Sequence, residues 1–461
     1  MYVKEGLKKG ISIILLVNII NLIFKLIANF LMPKYMTVEC YADFKYYHLF
    51  IGYLGIMHFG FVDGIYLKYG GKSIGEIPEN KLGRALAALI SLEVLVTVSV
   101  GAIAILLKNI ILFSVTFAIL PTEVTWFYKY VFQATGEFSK YGRIMNINTI
   151  LVFFLEMTLI ICGVQNVYYY IAANTLSLII VWILLERNAN IHYQRSWFKI
   201  VNIVSECKDN ILQGIFVMAG NFASQFLTSM DRWFIKALMN PSAFAYYSFA
   251  TSIVVFMNVA VTPFSITFYN YFCKHDDTET VKRIEGNIYL FATGLITLAF
   301  PVKWILEHFI QNYIESIAVI FYLFAAQGFS TIISCIYVNL YKATKNQKSY
   351  SIKMGIMLVI GFVLNVGLYY LLRTMESFAI ATLLTTAIWY LMSQADFIQY
   401  TAPIKTQLFL FIEVGAFLYI GIKFDSLLGI VLYVGCLLIG IATLMKTQFN
   451  MLLNILLIKG E

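Results

Sequence analysis

The sequence ISIILLVNIINLIFKLIANFL at residues 11–31 contains a single charged residue, Lys25. A helix needs about 20 apolar residues to cross the roughly 30 Å hydrocarbon core of a bilayer. The preceding lysines, Lys4, Lys8 and Lys9, resemble the start of a signal peptide, but this apolar run is longer than a signal h-region and no A-x-A cleavage site follows. We interpret the run as a retained membrane helix.

Similar apolar runs recur along all 461 residues, with short polar breaks between them. They predict fourteen membrane-spanning helices, at residues 11–31, 41–67, 85–107, 109–131, 144–163, 167–186, 211–238, 243–271, 287–306, 316–340, 354–372, 377–396, 407–421 and 426–445. The composition agrees, because 60% of the residues are hydrophobic and only 13% are charged, whereas a soluble domain carries about 25% charged residues. An ordinary soluble enzyme and a disordered chain are both excluded. The predicted fold class is an all-α integral membrane protein.

Basic residues concentrate in alternate loops. With the amino terminus inside, 23 of the 33 Lys and Arg residues fall in cytoplasmic loops, six fall outside and four fall within predicted helices. The four are Lys25, Lys45, Lys129 and Arg232. Because positively charged loops stay in the cytoplasm, this pattern predicts that both termini are cytoplasmic. The scatter of the basic residues is not typical of a nucleic-acid-binding face.

The longest polar stretch, residues 187–210, lies between the sixth and seventh predicted helices. It is too short to fold as a catalytic domain on its own, so we interpret it as a cytoplasmic linker. It separates a six-helix bundle at residues 1–186 from a second six-helix bundle at 211–399. Residues 400–461 add two helices and a cytoplasmic tail.

An internal repeat relates the first helices of the two halves. At an offset of 203 residues, four polar positions of one helix match four polar positions of the other. The first helix carries Asn18, Asn21, Lys25 and Asn29, and the seventh carries Asn221, Ser224, Thr228 and Arg232, with Gln225 adjoining. At about 100° per residue, each set falls within an arc of roughly 80°. Lipid cannot satisfy such stripes, so each is expected to face a wet cavity or to hydrogen-bond a neighbouring helix.

Lys25 and Arg232 are the charged members of these stripes. Lys25 lies about two-thirds of the way across the first helix, too deep for easy snorkelling to the inner face. A charge inside the membrane indicates a functional site by default. A snorkel to the outer interface or a salt bridge is the alternative for Lys25, and an interfacial pair with Asp231 is the alternative for Arg232. If both residues line a cavity, they suit an anionic ligand such as a phosphate or diphosphate.

Carboxylates within the apolar runs are candidates for coupling to a proton or sodium gradient. The candidates are Glu93, Glu123, Glu156, Asp63 and Asp231. Pairing with a neighbouring helix is the alternative for each of them. We predict no catalytic residue, metal site or cofactor, because the five histidines show no H-E-x-x-H spacing and Gly71-Lys72-Ser73 lacks the first glycine of a P-loop.

Two motifs resemble a known family. The first is FGFVDGIYLKYGGK at residues 59–72, and the second is Asp231-Arg232-Trp233 followed by FAYYSFA at residues 244–250. Together with the fourteen predicted helices and short loops, they resemble the polysaccharide-transporter, or Wzx-type, branch of the multidrug/oligosaccharidyl-lipid/polysaccharide exporter superfamily. This resemblance extends over nearly the whole chain.

The resemblance implies a V-shaped pair of six-helix bundles with two additional helices in a bacterial cytoplasmic membrane. It implies a flippase, not an enzyme, that moves a polyprenyl-diphosphate-linked oligosaccharide to the outer leaflet by alternating access. The product would serve O-antigen, capsule or exopolysaccharide biosynthesis. Lys25 and Arg232 fit the expected basic lumen by position. The expected partners are the lipid-linked oligosaccharide, the bilayer and other polysaccharide-assembly proteins, but no nucleic acid.

Two other functions stay open. A cation-coupled multidrug antiporter of the same superfamily would favour a carboxylate in its cavity, whereas the first helix offers Lys25. A membrane polysaccharide polymerase or acyltransferase would need a larger outer loop or a His/Asp catalytic pair, and every predicted outer loop is short.

Overall fold

A computed structural model describes residues 2–189, 199–273, 277–344, 346–446 and 448–450, with the backbone alone for residues 2–18, 138, 188–189, 270 and 347. Three parts of the predictions lie outside this description: the side chain of Asn18, residues 190–198 of the predicted linker and residues 451–461 of the predicted tail. All secondary structure in the described ranges is helical.

The first nine α-helices are α1 (Tyr2–Tyr35), α2 (Val38–Ile51), α3 (Phe61–Tyr69), α4 (Glu79–Leu106), α5 (Ile110–Ala134), α6 (Phe138–Ile161), α7 (Val167–Ala189), α8 (Ile200–Leu227) and α9 (Met230–Leu238). The remaining α-helices are α10 (Pro241–Val254), α11 (Met257–Phe272), α12 (Thr278–Ile296), α13 (Ala299–Phe309), α14 (Ser316–Ile332), α15 (Val338–Ala343), α16 (Gln347–Leu372), α17 (Glu376–Asp396), α18 (Ile404–Lys423) and α19 (Ser426–Leu444). A π-helix, Ile333–Tyr337, joins α14 to α15.

Within the described residues, eleven helical stretches are long and apolar enough to cross a membrane. Two bent helix pairs raise this number to thirteen if each is one span. These thirteen stretches coincide with the second to fourteenth predicted segments, and the first predicted segment lies inside α1. The predicted all-α membrane fold class is confirmed.

The prediction that the second and seventh segments are continuous helices is wrong. In the second, Phe59 and Gly60 have φ values of 51° and 85°, and a right-handed helix cannot continue through left-handed residues. In the seventh, α8 ends at Leu227. The hydroxyl of Thr228 donates to the carbonyls of Ser224 and Gln225, both at 3.1 Å, a back-bonding pattern that bends helices.

The chain forms two compact units with a boundary between Thr228 and Ser229. In the first unit, α5 is central and packs against α2, α3, α4, α6 and α7, while α8 packs against α3 and α4. In the second unit, α14 is central and packs against α10, α12, α17 and α18. Helix α8 therefore lies with the helices that precede it in the chain.

Glycines bring the backbones of α3 and α8 into direct contact. A Cβ atom at Gly214 would lie 1.9 Å from the carbonyl oxygen of Gly60, and one at Gly64 would lie 2.0 Å from that of Asn210. Real Cβ atoms do not approach backbone atoms so closely, so only glycine fits at these positions. Lys68 adds a polar contact to the same packing, because its Nζ donates to Asn210 Oδ1 at 3.2 Å.

We predict that Gly214→Ala separates α3 from α8 and destabilises the first unit by roughly 1–3 kcal/mol, the usual cost of overpacking. Gly220→Ala is the matched control, because Gly220 lies on the same helix and a Cβ there meets nothing within 4 Å. Thermal unfolding of the purified protein in detergent measures both variants. Equal melting temperatures for the two variants would contradict the prediction.

Candidate functional site

Three of the predicted site residues, Lys25, Asn29 and Glu156, line one cavity inside the first unit, which we call the lysine cavity. It lies among α1, α2, α5, α6 and α7 and has a volume of about 420 Å³. Its polar lining consists of Lys25, Asn29, Lys45, His48, Thr122, Asn148, Thr149, Glu156 and Asn174. Aromatic rings of Phe24, Phe44, Trp126 and Phe153 form part of the remaining wall.

Two lysines and one carboxylate dominate the electrostatics of the lysine cavity. Lys25 is accessible, and Lys45 Nζ donates to Asn29 Oδ1 at 3.1 Å. Glu156 is only 4% exposed and interacts electrostatically with Lys45, while His48 interacts with both lysines. Because the lysines outnumber the carboxylate, the lining favours an anionic ligand.

Gln165 holds the turn that brings Lys45 next to α1. Its Oε1 accepts a hydrogen bond from the backbone N–H of Thr37, and its Nε2 donates to the carbonyl of Tyr35, both at 2.8 Å. Thr37 in turn caps α2, because its hydroxyl accepts from the N–H of Cys40 at 3.2 Å. These bonds satisfy backbone groups that the α1–α2 turn leaves without helical partners.

A second cavity of about 290 Å³ lies in the first unit at the break between α2 and α3, and we call it the aspartate cavity. Its lining consists of Gly52, Gly55, Ile56, His58, Asp63, Trp126, Tyr130, Met218, Asn221, Phe222 and Gln225. Trp126 lines both cavities. Asn221 and Gln225, two residues of the polar stripe on α8, thus line the same cavity as Asp63 of α3.

Asp63 has partners from two directions in the aspartate cavity. Asn221 Nδ2 donates to its Oδ1 at 3.4 Å, and His58 Nε2 lies 3.9 Å from its Oδ2. His58 Nδ1 accepts from the N–H of Gly60 at 3.0 Å, so the proton of a neutral His58 is on Nε2, facing Asp63.

Two predicted coupling carboxylates, Glu93 and Glu123, are fully buried between α4 and α5. None of their four carboxyl oxygens has a hydrogen-bond partner in the described part of the chain. Glu123 interacts electrostatically with Glu93 and with Asp63. These two residues therefore lie near the aspartate cavity but do not line it.

Asp231 and Arg232 lie in the second unit, at the start of α9. Asp231 Oδ2 accepts from the hydroxyl of Tyr247 at 2.5 Å, and its Oδ1 accepts from the backbone N–H of Arg232 at 2.7 Å. The Nε atom of Arg232 is buried without a hydrogen-bond partner among the described residues. Asp231 thus connects α9 to α10.

The other predicted stripe residues do not line either cavity. Asn21 on α1 is buried at 6% exposure, and Ser224 is exposed. Thr228, also exposed, bonds to its own helix. Lys45, His58 and Trp126 are among the lining residues that the sequence interpretation omitted as site candidates. Lys45 carried a usable signal, since it is a basic residue inside a predicted membrane helix.

Among the described residues, no three His, Cys, Asp or Glu side chains form a group that could hold a metal ion. The buried carboxylates Glu93 and Glu123 come closest to such a group.

Neither a protein-family model nor a curated protein sequence matches this chain. Solved structures do match. A lipid II flippase, MurJ in an inward closed conformation, is 14% identical, with a TM-score of 0.68 over 94% of this chain and 99% of that one. The chain therefore has the fold of this flippase. A MATE family multidrug resistance transporter of the MOP superfamily, in an inward-facing conformation, is 11% identical, with a TM-score of 0.55 over 81% of this chain and 94% of that one.

We predict that Tyr247→Phe lowers the free energy of unfolding by about 1–3 kcal/mol, because it removes a hydrogen bond from the buried carboxylate of Asp231. Ser248→Ala is the control, because the neighbouring Ser248 is also buried but its hydroxyl has no hydrogen-bond partner within the described ranges. Chemical denaturation in detergent measures both. A larger loss for Ser248→Ala than for Tyr247→Phe would refute the assignment.

Proposed function

We propose that this protein is a flippase that moves a polyprenyl-diphosphate-linked oligosaccharide from the inner to the outer leaflet of a bacterial cytoplasmic membrane. The observation that carries the proposal is the lysine cavity, where Lys25 and Lys45 lie together inside a bundle of apolar helices. A lysine ammonium at membrane depth is costly without an anionic partner. Glu156 interacts with Lys45, and a diphosphate would supply an anionic partner for Lys25 through charge-assisted hydrogen bonds.

The fold supports the same function, since one structural neighbour is by name a lipid II flippase. Transport would proceed by alternating access, with both termini in the cytoplasm and with O-antigen, capsule or exopolysaccharide as the final product. Other polysaccharide-assembly proteins are then its partners. Arg232 remains a predicted substrate-binding residue of the second unit.

Glu156 is the predicted ion-coupling carboxylate that lines the lysine cavity. It interacts with Lys45, so binding of a proton or a sodium ion at Glu156 would change the affinity of the cavity for an anion. Asp63, Glu93 and Glu123 are further candidates for coupling in the same unit.

The second candidate function is a cation-coupled multidrug antiporter. Glu156 favours it, because a buried carboxylate in a cavity binds organic cations, and the second structural neighbour is a multidrug transporter by name. The lysines oppose it, because a second positive charge in the same cavity repels a cationic drug.

We predict that a strain lacking this protein accumulates diphospholipid-linked oligosaccharide and loses its surface polysaccharide, because the flipped substrate no longer reaches the outer leaflet. Wild-type protein should restore both, and Lys25→Gln should restore less than about one-tenth of the transport, the loss expected for one charge-assisted contact of about 1.5–3 kcal/mol. Mass spectrometry of lipid extracts measures the accumulation.

Lys34→Gln is the matched control, because Lys34 lies on the same helix but does not line the lysine cavity, and it should complement like wild type. Normal levels of lipid-linked oligosaccharide in the deletion strain, together with heightened sensitivity to cationic drugs, would refute the flippase and support the antiporter.

A further inference from the structure

The aspartate cavity combines aromatic rings with planar polar groups. Trp126, Tyr130 and Phe222 supply the rings, and Asp63 and Asn221 supply a carboxylate and an amide. Its volume of about 290 Å³ lies close to the lower end of the range for small-molecule sites, about 300–1,000 Å³. A site whose wall combines aromatic rings with placed polar groups binds a ligand that has both an apolar face and hydroxyl groups.

Trp126 is positioned between the two cavities by the backbone of the α2–α3 break. A Cβ atom at Gly55 would lie 2.8 Å from Cζ3 of the indole, so the ring packs directly against a residue that has no side chain. Trp126 is half-buried and lines both the lysine cavity and the aspartate cavity. A ring held in this way offers a rigid surface for stacking at little entropic cost.

The polar groups around Asp63 have capacity for a ligand. The contact from Asn221 is long at 3.4 Å, and the contact from His58, at 3.9 Å, is beyond hydrogen-bond distance. An ionised carboxylate accepts about four hydrogen bonds, which leaves acceptor sites on Asp63 for hydroxyl donors. A vicinal pair of sugar hydroxyls can donate to the carboxylate of Asp63 and accept from the amide of Asn221.

We propose that the aspartate cavity binds the sugar ring next to the diphosphate, with Trp126 stacking on the ring and with Asp63 and Asn221 bonding to its hydroxyls. This assignment rests on the proposed flippase function and deepens it. The diphosphate binds in the lysine cavity, and the sugar that it carries binds along the ring of Trp126, which lines both cavities. The lysines of one cavity thus bind the anion, and the indole and polar groups of the other cavity bind the saccharide.

The test compares two ligands in wild-type and variant protein held in lipid nanodiscs. One ligand is undecaprenyl diphosphate, which has no sugar, and the other is the diphospholipid-linked oligosaccharide purified from the deletion strain. Native mass spectrometry gives a Kd for each. We expect Trp126→Leu to weaken binding of the oligosaccharide lipid about threefold to tenfold more than binding of undecaprenyl diphosphate, the range for loss of an aromatic contact.

Asn221→Ala is the second variant, and it covers the case that Trp126→Leu does not fold, because it removes only a small polar group from α8. It should also weaken binding of the oligosaccharide lipid more than binding of undecaprenyl diphosphate. Trp304→Leu is the control, because Trp304 lies in the second unit and is partly exposed, and it should bind both ligands like wild type. Lys25→Gln should weaken both ligands.

Equal effects of Trp126→Leu and Asn221→Ala on the two ligands, or no effect on either, would overturn the sugar site while leaving the flippase in place. If the deletion strain accumulates no lipid-linked oligosaccharide, or if wild-type protein binds neither ligand, the flippase itself is refuted and the sugar site with it.

Discussion

The backbone contact between α3 and α8 is the constraint on which the candidate site depends. Gly214 meets Gly60 without an intervening side chain, and this approach brings Asn221, about two turns further along α8, to Asp63. A break in a membrane helix exposes backbone groups that lipid cannot satisfy. The break after α2 is supported locally, because the N–H of Gly60 donates to His58. The same break provides Gly55, against which Trp126 packs.

The sequence was sufficient to place the second to fourteenth membrane segments on helical stretches that the structure contains, because the length and apolar character of each run are set by the thickness of the bilayer. The interruptions were not predictable from hydropathy. Phe59 and Gly60 adopt left-handed conformations inside a predicted segment, and α8 ends at Leu227 without a glycine or proline nearby. Such local backbone geometry leaves no trace in an average over twenty residues.

The candidate site was predictable in part. Lys25, Asn29 and Glu156 stood out because polar side chains are rare in apolar runs, and the structure places them in one cavity. The sequence could not show which helices face each other, so Lys45 and Trp126 were not singled out, the latter among 16% aromatic residues. The internal repeat matches positions in the sequence, but the matched residues have different surroundings in the structure. Lys25 lines a cavity, whereas its counterpart Thr228 bonds to its own helix.

The charges of the lysine cavity bear on how export could be driven. A proton on Glu156 would remove a negative charge near Lys45, so linkage makes a proton and an anionic substrate bind cooperatively. Ligands that bind cooperatively move in the same direction, and an exporter coupled in this way would work against an inward proton gradient. The membrane potential acts differently. The lining of the unloaded cavity has two lysines and one glutamate, and a negative interior favours the inward return of a net positive charge by about 2.3 kcal/mol per charge and 100 mV. In a flippase with this cavity, the membrane potential would therefore act on the two lysines in the direction that favours export, whereas a proton carried on Glu156 would act against it.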